Sequence, residues 1–283
     1  MVIKVSLNEL LEAGCHFGHQ ARRWHPRMRP YLYAKREGIH IFDLVKTKEG
    51  LEEACQYMYE AAAQGKRICM VATKRQAQAF IRDSAQQAGV AYVTERWLGG
   101  TLTNHDQIKS RKDRLTELKR QRETGELKKL TKKEQLLIDR EINKLDRFLG
   151  GLMIYDDKPE VLFVVDTRRE KVAVEEANKA GVKVVGIVDS NADPSGVDYV
   201  IPANDDAVKS VQLIVSKITE SIIEGKQQYA KKVAKAAQEA ATKKAADTAK
   251  QQAEAKKEDK EKQAKLEKAE KAEAERRAKK TIK

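Results

Sequence analysis

Short apolar runs that recur between helix-length amphipathic stretches constrain this chain more than any other feature. The main runs are ICMVA at 68–72, VLFVVD at 161–166 and VKVVGIVD at 182–189, with shorter ones at 90–93 and in VDYVIP at 197–202. A strand that is apolar on both faces has to be covered on both faces, which is the situation of a parallel sheet sandwiched between helices. The stretches between the runs supply those helices. Leu51, Ala54, Cys55, Met58 and Ala62 recur at helical spacing as far as Gly65, and Lys74 to Ala88 ends at Gly89. Two further helices are expected near Glu170 to Ala180 and near Asp206 to Ile223. The pattern predicts a three-layer α/β domain.

Two segments depart from this rhythm. At the start, Ser6 and Glu9 form a capping box, Leu7, Leu10 and Leu11 share a helical face, and Gly14 is placed to stop the helix. In the middle, Ile108, Leu115 and Leu118 lie on one helix and Leu137, Ile142, Leu145 and Leu149 on another, joined through TGEL at 124–127. Thr131 with Glu134 caps the second helix. The expectation is an inserted antiparallel helical hairpin with a thin apolar seam and a charged surface, projecting from the α/β body. The organisation reads as 1–103 (N-terminal helix, basic arm and first half of the α/β domain), 104–149 (hairpin), 150–225 (second half) and 226–283 (tail). The tail is rich in Lys, Ala and Glu without Gly or Pro, and carries Glu–Lys pairs at i, i+4 such as Glu258 with Lys262. It reads as a solvated helix or a disordered extension.

Charge is unevenly distributed along this frame. The formal net charge is +13, and residues 226–283 carry +9 of it. Residues 107–133 carry +7 and residues 150–225 carry −6. From Ala13 to Arg36 there is no acidic residue, while Arg22, Arg23, Arg27, Arg29, Lys35 and Arg36 are interleaved with Phe17, Trp24, Tyr31 and Tyr33. Pro26 and Pro30 fix backbone angles and remove amide donors, so an extended, exposed basic arm is expected. Cations neutralise phosphate and aromatic faces stack on bases, so the arm and the middle segment point to a polyanion such as RNA. The acidic later half is expected to face solvent, cations or basic protein partners.

Catalytic and cofactor signatures are weak by comparison. Lys74 and Arg75 follow a strand and should emerge at the carboxyl edge of the sheet, where α/β domains bind ligands. VATKRQAQAF nevertheless lacks both GxGxxG and GxxxxGK, so backbone amides cannot crowd a pyrophosphate in the usual way. There is no GxSxG elbow and no HExxH. Cys15, His16 and His19, with Asp166 or Asp189, would make a metal site only if the fold gathered them, and the spacing favours a structural role. Asp193 with Pro194 reads as a turn, and Asn204 with Asp205 as a helix cap. ERWLGGTLTN at 95–104 brings Arg96, Trp97 and paired glycines to the foot of the hairpin, either for a close backbone approach or as a tight junction. Three cysteines without a CxxC spacing fit a reducing cytoplasm, and no apolar run approaches the roughly 18 residues that span a bilayer. No metal, no cofactor, no membrane and no homo-oligomer are expected.

Several long motifs in register are more specific than any of these patterns. GCHFGHQARRWHPRMRPYLYAKREGIHIFDL, VATKRQA, ERWLGGTLTN, KLTKKE, VLFVVDTRRE and IVDSNADPSGVDYVIPANDDAV, in this order, closely resemble the bacterial ribosomal protein S-two family over residues 1–225. The resemblance implies a flavodoxin-like parallel sheet, a protruding coiled-coil hairpin and no catalysis. It implies a cytoplasmic place between head and body of the small ribosomal subunit, contact with small-subunit rRNA and other small-subunit proteins, and help in recruiting the messenger-binding protein S-one. The residues expected to meet RNA are Arg22, Arg23, Trp24, Arg27, Arg29, Lys35, Arg36, Lys74, Arg75 and Arg96, with hairpin residues Lys109, Arg111, Lys112, Arg114, Lys132 and Lys133. The rival reading is a nucleotide- or sugar-binding α/β enzyme that happens to be basic. A second rival is a membrane-surface protein using the Lys-rich tail.

Overall fold

The structure, a computed structural model, describes residues 5–235 and Gln238. Its centre is a parallel five-stranded sheet built from β4 (Ile68–Val71), β5 (Ala91–Val93), β6 (Val161–Val165), β7 (Lys183–Val188) and β8 (Tyr199–Pro202). The spatial order β5-β4-β6-β7-β8 is the flavodoxin-like order of doubly wound sheets. Alternate residues of each strand feed two separate cores. Ile68, Met70, Phe163, Val165, Val185 and Ile187 face one core, while Cys69, Val71, Leu162, Val164 and Val184 face the other. Helices α1 (Leu7–Glu12), α2 (Leu44–Ala63), α3 (Arg75–Ala88) and α7 (residues 208–229) bury their apolar faces in the first core. Helix α6 (Lys171–Ala180) and the foot of the inserted helices close the second.

The insertion consists of α4 (His105–Glu123) and α5 (Lys132–Leu149), joined by a turn that contains a 3-10 segment, Glu126–Lys129. Thr131 and Glu134 form the expected capping box. The seam between the helices is Leu115, Leu118 and Ile142, with Ile138 and Leu145 beside it. Leu137, expected in that seam, is 54% exposed, because Ile138 takes the inward position.

The acid-free segment folds where the sequence pointed to an extended arm. β1 (Phe17–Gln20), β2 (Leu32–Arg36) and β3 (Ile39–Phe42) make a small antiparallel sheet in the order β1-β3-β2, and two 3-10 turns, Ala21–Arg23 and Pro26–Tyr31, carry the arginines. The prolines lock the turns, as expected. What folds them is tertiary: Met28 and Phe42 are buried against Val188 and Ala192 at the end of β7.

Ser190, fully buried, is the fastener. Its hydroxyl accepts from His19 N at 2.7 Å and its carbonyl accepts from His25 N at 2.7 Å. A Cβ on Gly18 would lie 2.8 Å from Ser190 Oγ and 3.1 Å from the His40 carbonyl oxygen, so β1 approaches this loop as closely as a backbone can.

The last helix continues through Gly225 where the sequence reading ended it near Ile223. A side chain at Gly225 would run into the Tyr59 carbonyl of α2, so this glycine serves close helix packing rather than termination. The compact unit therefore reaches Tyr229, which lies over Gly65. Residues 230–235 are helical, and the expected extension beyond them lies outside the described residues, Gln238 apart.

Gly18→Ala should loosen the small sheet selectively, at a cost of about 1–3 kcal/mol from overpacking. Limited trypsin digestion would show it as faster cleavage after Arg22, Arg23 and Arg27, with the β4–β7 core still resistant. Uniformly faster digestion of the whole chain would contradict a local effect.

Candidate nucleic-acid interface

Most of the expected RNA-contacting cations stand free. Arg22, Arg23, Arg29, Lys35 and Arg36 on the small sheet and its turns are exposed, and no carboxylate pairs with them among the described residues. Arg22 donates only to the neutral Gln20 carbonyl, at 3.0 Å. Arg75 at the start of α3, Arg96, and Lys109, Arg111, Lys132 and Lys133 on the inserted helices are exposed in the same way. Arg27 and Arg114 are engaged. Arg27 pairs with Asp193 at 2.9 Å while its side chain stays 62% exposed, and Arg114 meets Glu141 at 3.3 Å. Trp24 is half-buried, its ring tilted against His40 with centroids 5.1 Å apart. The freest ring on this sheet is Tyr33, 78% exposed on β2, one of the interleaved aromatics but not among the residues expected to meet RNA.

Two expected contacts are corrected by burial. Lys112 is 6% exposed and its ammonium donates to the Tyr155 carbonyl, so it ties α4 to the body. Lys74 is 8% exposed and points inward, 2.7 Å from Asp205, 2.5 Å from Asp206 and 3.7 Å from Asp166. A cation so enclosed is unavailable to phosphate. The cluster extends through His19, whose Nδ1 lies 3.0 Å from the fully buried Asp189 and whose Nε2 lies 3.3 Å from Asp206. Part of the acidity of the later half is thus turned inward, and not toward solvent as expected.

The electrostatics of this cluster follow from burial and proximity. Burial, with Asp189 and Asp166 close by, pushes the Asp205 carboxyl up to about 7. The hydrogen bond that the His19 ring donates to Asp189 raises His19 above its ordinary value against an opposing effect of burial. Burial works against the charge of Lys74, but Asp205 and its neighbours outweigh it and the ammonium is held more firmly than usual. His19, Asp205 and Asp206 offer ligand atoms within 4.8 Å of one another, while Cys15 is buried apart, near Ser210. Lys74 Nζ already supplies positive charge to both aspartates.

The crevice where flavodoxin-like sheets take ligands lies between β4 and β6, at the reversal of strand order. Here it is filled from within. Glu170, 4% exposed, accepts from the Thr73 backbone N–H at 3.2 Å and from the Thr73 hydroxyl, and Arg169 donates to the same hydroxyl at 2.9 Å. A carboxylate occupies the position that an incoming phosphate would need, at the start of α3. The ERWLGGTLTN loop is likewise an internal junction: Glu176 of α6 accepts from Gly100 N at 2.7 Å and Leu102 N at 3.1 Å, and Trp97 is buried. Asn204 caps α7 through its side-chain oxygen, which accepts from Asp206 N and Ala207 N, while Asp205 belongs to the buried cluster.

Fold and surface together describe a doubly wound α/β scaffold with a two-helix insertion, a filled ligand crevice and a cation-rich accessory sheet. The family described as Ribosomal protein S2 matches residues 10–225. A small ribosomal subunit protein uS2 from Roseiflexus sp. (strain RS-1) is 51% identical over 224 residues, 79% of this chain and 86% of the relative. Its namesake from Coprothermobacter proteolyticus is 48% identical over 237 residues, 84% of this chain and 88% of the relative. The chain belongs to the ribosomal protein S2 family, and so to the structural, non-enzymatic proteins of the small ribosomal subunit. No described helix is long and apolar enough to cross a membrane.

Removing Lys74 leaves Asp205 buried without its partner, so Lys74→Ala should lower unfolding free energy by about 3 kcal/mol. Arg75→Ala, one residue on and exposed, should change it by less than about 0.5 kcal/mol. Urea denaturation of the two variants separates them, and equal losses would refute the placement of Lys74. His19 and Asp205 both hold a proton more tightly when folded: the contribution of His19 is full below the ordinary histidine value of about 6.5 and is lost as pH rises above it, whereas that of Asp205 is full only below the ordinary aspartate value of about 3.8 and is lost as pH rises from there through about 7. From these two groups the melting temperature should fall as pH rises from about 4 through about 7, and His19→Gln should flatten the part of that slope above about pH 6.5.

Proposed function

We propose that this chain binds folded small-subunit rRNA through phosphate contacts made by its unpaired cations, with shape and stacking at unpaired nucleotides supplying discrimination. The observation that carries this reading is the accessory sheet. Its arginines and lysines, Arg27 apart, are exposed without carboxylate partners among the described residues, although the same chain buries Lys74 and Lys112 where it has internal uses for a cation. Lys109, Arg111, Lys132 and Lys133 extend the contact along the inserted helices, and Tyr33 is the ring best placed to stack. Arg96 and Arg75 complete the set. The filled crevice at Glu170 weighs against the nucleotide-binding enzyme as the alternative.

Membership of the family supports the second half of the proposal. The chain acts as a structural part of the subunit that also meets neighbouring ribosomal proteins and assists recruitment of the messenger-binding protein S-one. The organisation into 1–103, 104–149, 150–225 and 226–283 is proposed in the same terms, with the inserted helices as a projecting prong.

If six of these cations each neutralise one phosphate, log affinity for small-subunit rRNA should fall with log salt at a slope of about −4 to −5. Replacing Arg22, Arg23 and Arg29 together by Ala should flatten the slope by about 2 to 3 and reduce incorporation into small subunits in competition with the unaltered chain. Filter binding and gradient sedimentation read the two effects. A slope near zero for the unaltered chain would sink the proposal.

A further inference from the structure

Beside the small sheet, the carboxyl ends of β6 and β7 enclose a cavity of about 370 Å³, within the span of about 300–1,000 Å³ that small-molecule pockets occupy. Its walls come from three places: His25 between the arginine turns, Thr167 and Arg168 after β6 with the start of α6, and the 191–196 loop after β7. Three side-chain atoms of its lining are buried and have no hydrogen-bond partner: His25 Nδ1, Thr167 Oγ1 and Asn191 Oδ1. Thr167 is 5% exposed. Buried polar atoms are almost always satisfied, and leaving one unsatisfied is costly, so three around a single cavity point to a ligand that brings its own donors and acceptors.

The geometry points to a pocket for one unpaired nucleotide of the bound RNA. A nucleobase edge presents donors and acceptors side by side, matching a hydroxyl that does both, an amide oxygen that accepts and an imidazole nitrogen that does either. The His25 ring and Val174 supply flat and apolar wall for its faces. At the mouth, Arg168 is exposed and stands at the amino terminus of α6, so a single phosphate is served there by one cation and a helix terminus, while the neighbouring Lys171 is paired with Glu175 at 3.6 Å. Nothing in the lining provides a glycine cradle for a pyrophosphate. Arg22 and Arg23 precede His25 in the chain, so the pocket continues the cationic surface and takes its base from the strand held there. This inference rests on the rRNA-binding reading and adds to it a site that contributes contacts other than phosphate.

Full-length protein carrying Thr167→Val and Asn191→Leu tests it against small-subunit rRNA by filter binding from about 50 to 200 mM salt. Losing base contacts should weaken binding about tenfold at every salt concentration without changing the slope, whereas losing phosphate contacts changes the slope. In parallel, 4-thiouridine-substituted rRNA should photo-crosslink the unaltered chain within residues 167–178 or 190–196, and the double variant should lose that crosslink. If the double variant melts early, Asn191→Leu alone, on the half-buried wall, is read instead. Salt-dependent binding that ignores these substitutions, with no crosslink, means a hydrated cleft only and overturns the pocket alone. Absence of salt-dependent binding by the unaltered chain brings down the rRNA reading and the pocket with it. Thermal stabilisation of the unaltered chain by AMP or UMP without rRNA, lost in the double variant, would assign the pocket to free mononucleotides and overturn the RNA-borne form.

Discussion

The short run of polar contacts that passes from Lys74 through Asp205, Asp206 and His19 to Asp189 and Ser190 holds the molecule's two characters together. On one side is a parallel sheet whose apolar strands would fold in any well-packed α/β protein. On the other is a twenty-six-residue stretch, 17–42, too small to build a core of its own. Ser190 and Asp189 bond the backbone and ring of His19, Lys74 neutralises the carboxylates that remain, and Met28 and Phe42 follow into a patch at the end of β7. Every cation proposed for RNA on the small sheet owes its position to this attachment.

Charge is sorted by depth as a consequence. Carboxylates of the later half are largely spent on internal partners: Asp189 on His19, Asp205 and Asp206 on Lys74, Asp193 on Arg27, Asp198 on Lys183, Glu176 on backbone amides. Among the described residues, many of the positive charges left over lie on the small sheet and along the inserted helices, with Arg75, Arg96 and Arg168 elsewhere on the α/β body. A net charge says little about an interface until the internally paired groups are set aside, and here that removal sharpens the contrast between a cationic outside and an acidic inside.

What the sequence disclosed, and what it withheld, divides along the range of the interactions concerned. Fully buried strands announce themselves as apolar runs, and caps such as Ser6 with Glu9 or Gly89 in its left-handed conformation are local chemistry, so β4 to β8 and their helices were legible. β1, β2 and β3 were not. Their burial alternates weakly, and the groups that pin them lie some 170 residues away in the chain, at Ser190. Lys74 misled for the same reason: its position after a strand was read correctly, but nothing local shows that three aspartates close over it. The last helix runs past its expected end near Ile223, and the close contact of Gly225 with Tyr59 that accompanies this exists only once α2 and α7 are side by side. Among the expected cations, exposure followed the charge pattern except at Lys74 and at Lys112, whose ammonium is taken up by the Tyr155 carbonyl.

Glu170 has one more implication. Cells are crowded with free nucleotides, and a doubly wound sheet with an open crevice between β4 and β6 would spend its life loaded with one. By seating its own carboxyl group on Thr73, this chain fills that turn from within. An architecture otherwise suited to metabolite traffic is thereby rendered deaf to metabolic state, which is the indifference required of a part that must behave identically in every copy of a large assembly.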